Sequence, residues 1–221
     1  MSFADLDSLV RGNVKDDSGR LTETDYANGI SAAIKRYSKA RPVELCTDLP
    51  GSGSTDLALP GDWQPAFSTI ISVEYPLGEV PECLLTLGNY RLYRTPAGQV
   101  LRLVDLFPAL TESVRVVYTL AHDDSTIPDS DLDTVANLAS AYCLLRLAAV
   151  YGNATDSTIQ ADSVQRQSKI DEYRRLADKF EGLFSQALGL SATDTTVPAM
   201  TVAPPQQQKN RLTHSGWPRW R

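Results

Sequence analysis

The chain has 221 residues and a mass of 24.2 kDa, about one domain's worth with room for a tail. Hydrophobic residues make up 42% and charged residues 22%, enough to bury a core over most of its length. Its 21 basic and 27 acidic residues give a net charge of −6 and a pI near 4.9. That excludes a globally basic nucleic-acid binder, although a local basic patch remains compatible with it. The longest mainly apolar stretch, 138–151, is interrupted by Arg146 and falls short of the roughly 18 residues that span a bilayer. The first residues, Met-Ser-Phe-Ala-Asp-Leu-Asp, hold no basic region and no apolar signal core, so export is not predicted. Cys46, Cys83 and Cys143 are odd in number and far apart. This argues against a disulfide framework and for a reducing compartment.

The first predicted element is short. Phe3, Leu6, Leu9 and Val10 recur at helical spacing, and Gly12 with the polar run to Gly19 is expected to stop it. Thr22-Glu23-Thr24-Asp25 then has the form of a capping box. Behind it Tyr26, Ile30, Ala33, Ile34 and Tyr37 make one apolar stripe. Lys35, Arg36, Lys39 and Arg41 put positive charge near the C-terminal end of the helix dipole, and Pro42 ends the helix.

From Pro42 to Ala121 the period becomes alternating. Val43, Leu45 and Thr47 alternate with Glu44, Cys46 and Asp48. The stretch 67–75 is rich in β-branched and aromatic residues and lies between Pro65 and Pro76. Segments 90–93 and 99–103 flank Thr95-Pro96-Ala97-Gly98 as a predicted hairpin. Val114, Val116, Tyr118 and Leu120 alternate with Arg115, Val117 and Thr119. The region reads as a small, mostly antiparallel sheet of four to six strands.

Helices then return. Asp129 or Ser130 is suited to cap a helix running to about Tyr151, with Gly152 just past its end. Its body is rich in alanine, and apolar residues surround most of its circumference, as in helices buried on more than one side. Ala139 and Ala148 are the candidate positions for close packing, within the subunit or against a neighbour. The last helix is predicted from Ala161 to Leu188, with Gly189 as its stop. The fold class expected is α+β. A bundle is built from a capped N-terminal helix and two long C-terminal helices, with an antiparallel β insertion between them and an extended C-terminal tail. The corresponding segments are 1–41, 42–121, 122–189 and 190–221, the first three forming one domain.

Motifs that would carry chemistry fail at defining positions. Asp129-Ser130-Asp131-Leu132-Asp133 opens like a calcium loop, but its sixth position is Thr134 and its twelfth Ser140, so it reads as acidic helix capping. Gly51-Ser52-Gly53-Ser54-Thr55 lacks the lysine of a phosphate loop, and Asp56 stands where a dinucleotide fingerprint needs glycine. His122 lies beside Asp123-Asp124, but no G-x-S-x-G elbow accompanies it. The cysteines sit in apolar sequence contexts and read as core. No catalytic residue, metal or cofactor is predicted.

The tail differs from everything before it. Residues 190–221 hold four prolines, a Gln206-Gln207-Gln208 run and no apolar period, so they cannot bury enough surface to fold alone. Lys209, Arg211, Arg219 and Arg221 against Asp194 give the tail +3, which leaves −9 on residues 1–189. It ends Gly216-Trp217-Pro218-Arg219-Trp220-Arg221. Trp and Arg dominate binding hot spots, so the segment reads as a docking peptide. Its partner is an acidic protein surface or, because stacking tryptophans and arginines also suit it, a single nucleic-acid strand.

This arrangement resembles the adaptor (head–tail connector) proteins of tailed double-stranded DNA bacteriophages. The resemblance rests on the capped helix over 22–41, on Leu59-Pro60-Gly61-Asp62-Trp63 to Ser72-Val73-Glu74-Tyr75-Pro76 at the start of the insertion, and on the helices over 132–152 and 161–189. It covers nearly the whole chain and contains no catalytic signature. It implies a non-enzymatic structural virion protein of the neck, assembled in the host cytoplasm. Twelve copies would form a ring on the portal protein, give the stopper or tail proteins their attachment point, and act in genome packaging and ejection. Lys209, Arg211, Trp217, Arg219, Trp220 and Arg221 would dock on the portal. Double-stranded DNA would pass through the lumen without specific binding. Twelve copies at −6 carry −72, which disfavours sticking to phosphate. No membrane partner is implied. Two other readings stay open: a nucleic-acid-binding accessory protein that uses the basic tail, and a head-closure (stopper) protein.

Overall fold

The computed structural model describes residues 3–16, 18–153 and 160–190. The elements run α1 (Phe3–Val14), α2 (Glu23–Ala40), β1 (Val43–Pro50), β2 (Asp56–Ala58), β3 (Ile70–Glu74), β4 (Tyr90–Thr95), β5 (Gly98–Leu103), β6 (Ser113–Leu120), α3 (Leu132–Asn153) and α4 (Gln160–Ala187). The fold is α+β, four helices with two small antiparallel sheets between α2 and α3.

α1 does not stop at Gly12. Leu6, Val10 and Val14 repeat every four residues and are all buried, while Leu9 is exposed. The burial of Val14 carries the helix through the glycine, against its propensity cost of about 1 kcal/mol. α2 opens as the sequence predicts. The Asp25 backbone N–H donates to Thr22 Oγ1 (3.2 Å), and the Thr22 N–H donates back to Asp25 Oδ2 (3.0 Å). Tyr26, Ile30, Ala33, Ile34 and Tyr37 are its buried stripe.

The expected single sheet is two sheets of three strands, ordered β1-β6-β3 and β2-β5-β4. β1 pairs with β6 from Val43↔Leu120 to Pro50↔Ser113. The hairpin of β4 and β5 pairs from Tyr90↔Leu103 to Thr95↔Gly98. Inward residues of both sheets share one core: Leu49, Val73, Val116 and Tyr118 face Leu57, Tyr90, Leu101 and Leu103. Stacking one sheet on the other gives each a buried face, which neither three-stranded sheet has alone. β3 begins at Ile70 and not Phe67, because Phe67 and Ser68 donate their N–H groups to Gln64 O in a turn. β2 has no counterpart in the sequence reading. Asp56 ties it to β5 through a two-pronged Arg102 contact of 2.6 and 2.7 Å.

A 3₁₀ turn over Asp129–Asp131 precedes α3, with Pro128 at its N-cap and no side-chain cap, so neither Asp129 nor Ser130 caps the α-helix itself. α3 runs on through Gly152 to Asn153. A Cβ on Gly152 would lie 3.9 Å from Ile170 of α4, so the glycine marks an interhelical contact, not a stop. α3 is also longer than its uninterrupted apolar run. The segment Asp129–Gly152 is long and apolar enough to cross a membrane, but 61% of its apolar 18-residue stretch is buried inside the protein, against α1, α2 and α4. α4 ends on Gly189 at φ +67°, where Leu190 N–H donates to Ser185 O and Gly189 N–H to Gln186 O. That is the left-handed closure glycine allows at low cost.

Candidate functional site

Three places could carry function: the α2–α3 packing face, the joint between bundle and sheets, and the loops at the far end of the sheets. Along α3, Ala136, Ala139, Ala141 and Ala148 are all buried, and Ala139 faces α2. A Cβ on Gly29 of α2 would sit 2.8 Å from Cys143 Sγ and 3.4 Å from Ala139 O of α3. The two helices therefore approach closely at a glycine–alanine contact. Ser140, fully buried, donates to Ala136 O (2.7 Å) and accepts from Asn13 Nδ2 (3.2 Å), which ties α1 to α3. Burial pushes the Cys143 thiol up to about 12, so it is inert core. Cys46 and Cys83, expected to be core as well, are exposed. Cys46 lies on the outward side of β1, and Cys83 lies in a loop.

The joint is polar and fully partnered. Tyr37 Oη donates to Asp131 Oδ2 (2.5 Å), and Arg41 Nη1 donates to the same oxygen (2.8 Å). The Tyr37 bond holds the Asp131 carboxyl below its ordinary range, while burial and that carboxylate push Tyr37 up to about 12. The His122 ring lies 5.0 Å from Tyr37, and His122 N–H donates to Ser38 Oγ (2.9 Å). His122 Nδ1 faces Thr126, at 3.1 Å from its carbonyl and 3.2 Å from its hydroxyl. The neighbouring Asp123 instead accepts from the N–H groups of Ser125 and Thr126. These contacts link the C-terminal end of α2 to the segment after β6 and to the turn before α3, and none of them pairs a nucleophile with a base. Among the described residues no group of three or more His, Cys, Asp or Glu is placed to hold a metal ion. In the calcium-like segment, Asp131 is taken up by Tyr37 and Arg41. The Gly51–Thr55 loop is closed on itself by Ser52 and Ser54 and packs at Gly51 against the Ala109 carbonyl.

The sheets start at the joint, where β1 leaves α2, so the ends at Pro50, Glu74 and Ser113 lie far from the bundle. Loops 75–89 and 104–112 meet there. Tyr75 N–H donates to Cys83 O (3.0 Å), Tyr75 Oη donates to Glu112 Oε2 (2.7 Å), and Ala109 N–H donates to the same oxygen (2.8 Å). The loops expose Val80 (96%), Leu110 (78%), Phe107 (65%) and Leu84 (55%). Between β3 and β4 an apolar groove of about 300 Å³ is lined by Thr69, Ile70, Leu87, Tyr90, Arg91 and Leu92. Sequence periodicity does not reveal this surface, because loops have none. The available signal was a set of large apolar residues in Pro- and Gly-rich segments without a single basic residue. The predicted docking residues Lys209, Arg211, Trp217, Arg219, Trp220 and Arg221 lie outside the described residues.

No family model and no curated protein matches the chain. Among solved structures it is similar to a chain from the virion of a native gene transfer agent particle, at 15% identity and a TM-score of 0.29, covering 79% of this chain and 92% of that one.

Proposed function

We propose that the chain is a non-enzymatic structural virion protein, an adaptor that joins the portal to the stopper or tail. The observation that carries this reading is the order of elements: a capped helix pair, a β insertion and two long packed helices, followed in the sequence by the basic segment over 191–221. That is the order the connector resemblance implies. Two further features agree with it. The −9 of residues 1–189 disfavours DNA adhering to a channel built from these bodies. Exposed apolar side chains are concentrated in one module, as suits a protein partly covered by partners in an assembly. On this reading about a dozen copies ring the portal, double-stranded DNA passes without specific binding, and Trp217, Arg219, Trp220 and Arg221 supply the portal anchors. The protein works at the virion neck and assembles in the host cytoplasm.

The test is the native mass of the purified protein mixed with its portal. A complex holding twelve copies per portal is expected, and the Trp217→Ala/Trp220→Ala variant should lose it. A chain that stays monomeric beside the portal and retards DNA in a gel would overturn the proposal in favour of a nucleic-acid accessory role.

A further inference from the structure

The far-end loops pose a physical problem. Val80, Leu84, Phe107 and Leu110 stand in water on two loops that meet at the Tyr75–Glu112 contact, and nothing among the described residues covers them. On these loops the charge has one sign. Loops 75–89 and 104–112 carry Glu79, Glu82, Asp105 and Glu112, all exposed, and no Lys, Arg or His. Of the basic groups on the adjoining strands, Arg115 is held by Asp48 at 2.8 and 3.0 Å and lies 3.6 Å from Glu74, and Arg91 stands beside Leu87, 5.8 Å from the Tyr93 ring. Exposed apolar side chains interspersed with carboxylates on the same loops select a partner with the opposite design, large apolar anchors between positive charges.

The same chain contains such a segment. Residues 209–221 hold Trp217 and Trp220 with Lys209, Arg211, Arg219 and Arg221, and no acidic residue. We infer that this segment seats on the far-end loops of its own chain, with the tryptophans on the exposed apolar side chains and the basic groups against the four carboxylates. The path is short enough. The C-terminal part of α4 lies against the C-terminal half of α2, where Arg36 donates to Glu181 (2.6 Å) and sits 5.6 Å from the Phe184 ring. α2 leads directly into β1, so the tail leaves α4 at the bundle end nearest the sheets. From there the eight residues of β1 rise about 26 Å to the loops. The 31 residues after Leu190 reach up to about 100 Å when extended. Tethering puts the segment at an effective concentration in the millimolar range, so a contact of only about 0.1 mM affinity would be occupied roughly ten times out of eleven.

The inference is independent of the connector reading, because a tail that seats here says nothing about which other protein binds the chain. If both hold, portal binding is an exchange in which the tail leaves its own subunit.

Cys83 lies in loop 75–89 and is exposed, as is Cys46 on β1, which serves as an internal reference. The experiment measures N-ethylmaleimide modification of both cysteines in the full-length protein by peptide mass spectrometry. The Cys83/Cys46 rate ratio should rise about tenfold in Trp217→Ala/Trp220→Ala. It should rise similarly in Glu79→Lys/Glu82→Lys, and adding Arg219→Glu/Arg221→Glu to that variant should restore protection. Protection in the wild type should survive tenfold dilution. An unchanged ratio in the tryptophan variant would overturn the inference. Protection that disappears on dilution would also overturn it, because the occupant would then be another copy's tail.

Discussion

The bundle and the β module treat their apolar residues differently. In the bundle, 22 buried residues drawn from all four helices and their connections form one continuous cluster. In the β module nine do so between two sheets. Of the 13 large apolar side chains that are exposed among the described residues, nine lie in the β module: Ile71, Val80, Leu84, Leu87, Leu92, Tyr93, Val104, Phe107 and Leu110. Among the described residues the bundle leaves four large apolar side chains exposed, Leu9, Leu145, Leu176 and Leu183. Two three-stranded sheets joined by long loops cannot bury as much, and the loops farthest from the bundle keep the surplus. The molecule therefore separates a stability-bearing half from a half that offers surface.

That contrast can be broken first in the bundle. Phe184, fully buried, packs under α2, and Phe184→Ala should cost about 3–5 kcal/mol in denaturant unfolding. The equivalent change at Phe107, 65% exposed, should move stability by less than about 0.5 kcal/mol. Equal losses at the two positions would refute the division of labour. Overpacking is the next test. Ala139→Leu, at a position with no exposed surface facing Gly29, should cost about 1–3 kcal/mol. Ala148→Leu should follow it, and wild-type melting of both variants would show that α3 is not closely packed. The capping box of α2 gives a smaller effect, with Thr22→Ala expected to cost about 0.5–2 kcal/mol in the same unfolding measurement.

The joint between the two halves should show itself through pH. Asp131 is held below its ordinary value of 3.8, first by the Tyr37 hydroxyl and then, against burial, by Arg41. A carboxyl lowered in the folded state stabilises it above the unfolded pKa. That contribution is lost as pH falls from about 3.8 toward the folded value. Acid titration of the unfolding midpoint should therefore be shallower in Asp131→Asn than in the wild type below that pH. Parallel titrations would remove Asp131 from the acid response.

Local chemistry made much of this fold legible in the sequence, and long-range packing hid the rest. The capping box at Thr22 and Asp25, the alternation of β1 and β6 and the closure at Gly189 are each dictated by neighbours in the chain. Gly12 and Gly152 mislead for the opposite reason. Val14 is drawn into the core beyond the first, and α4 comes close to the second. The split into two sheets depends on which strand faces which, and β2, three residues long, carries too little pattern to be seen. Cys46 and Cys83 show the limit of composition, since an apolar sequence context does not say which side of a strand or loop faces water.

The central claim, that this chain is a neck adaptor, is tested most directly by cryo-electron microscopy of the particles made by cells that encode it. An adaptor should appear there as a ring of twelve copies directly below the portal. In that ring the bundle and sheets should match the described residues, and density for Trp217 and Trp220 should lie against the portal. Particles whose neck density fits another protein, with this chain elsewhere or absent, would contradict it.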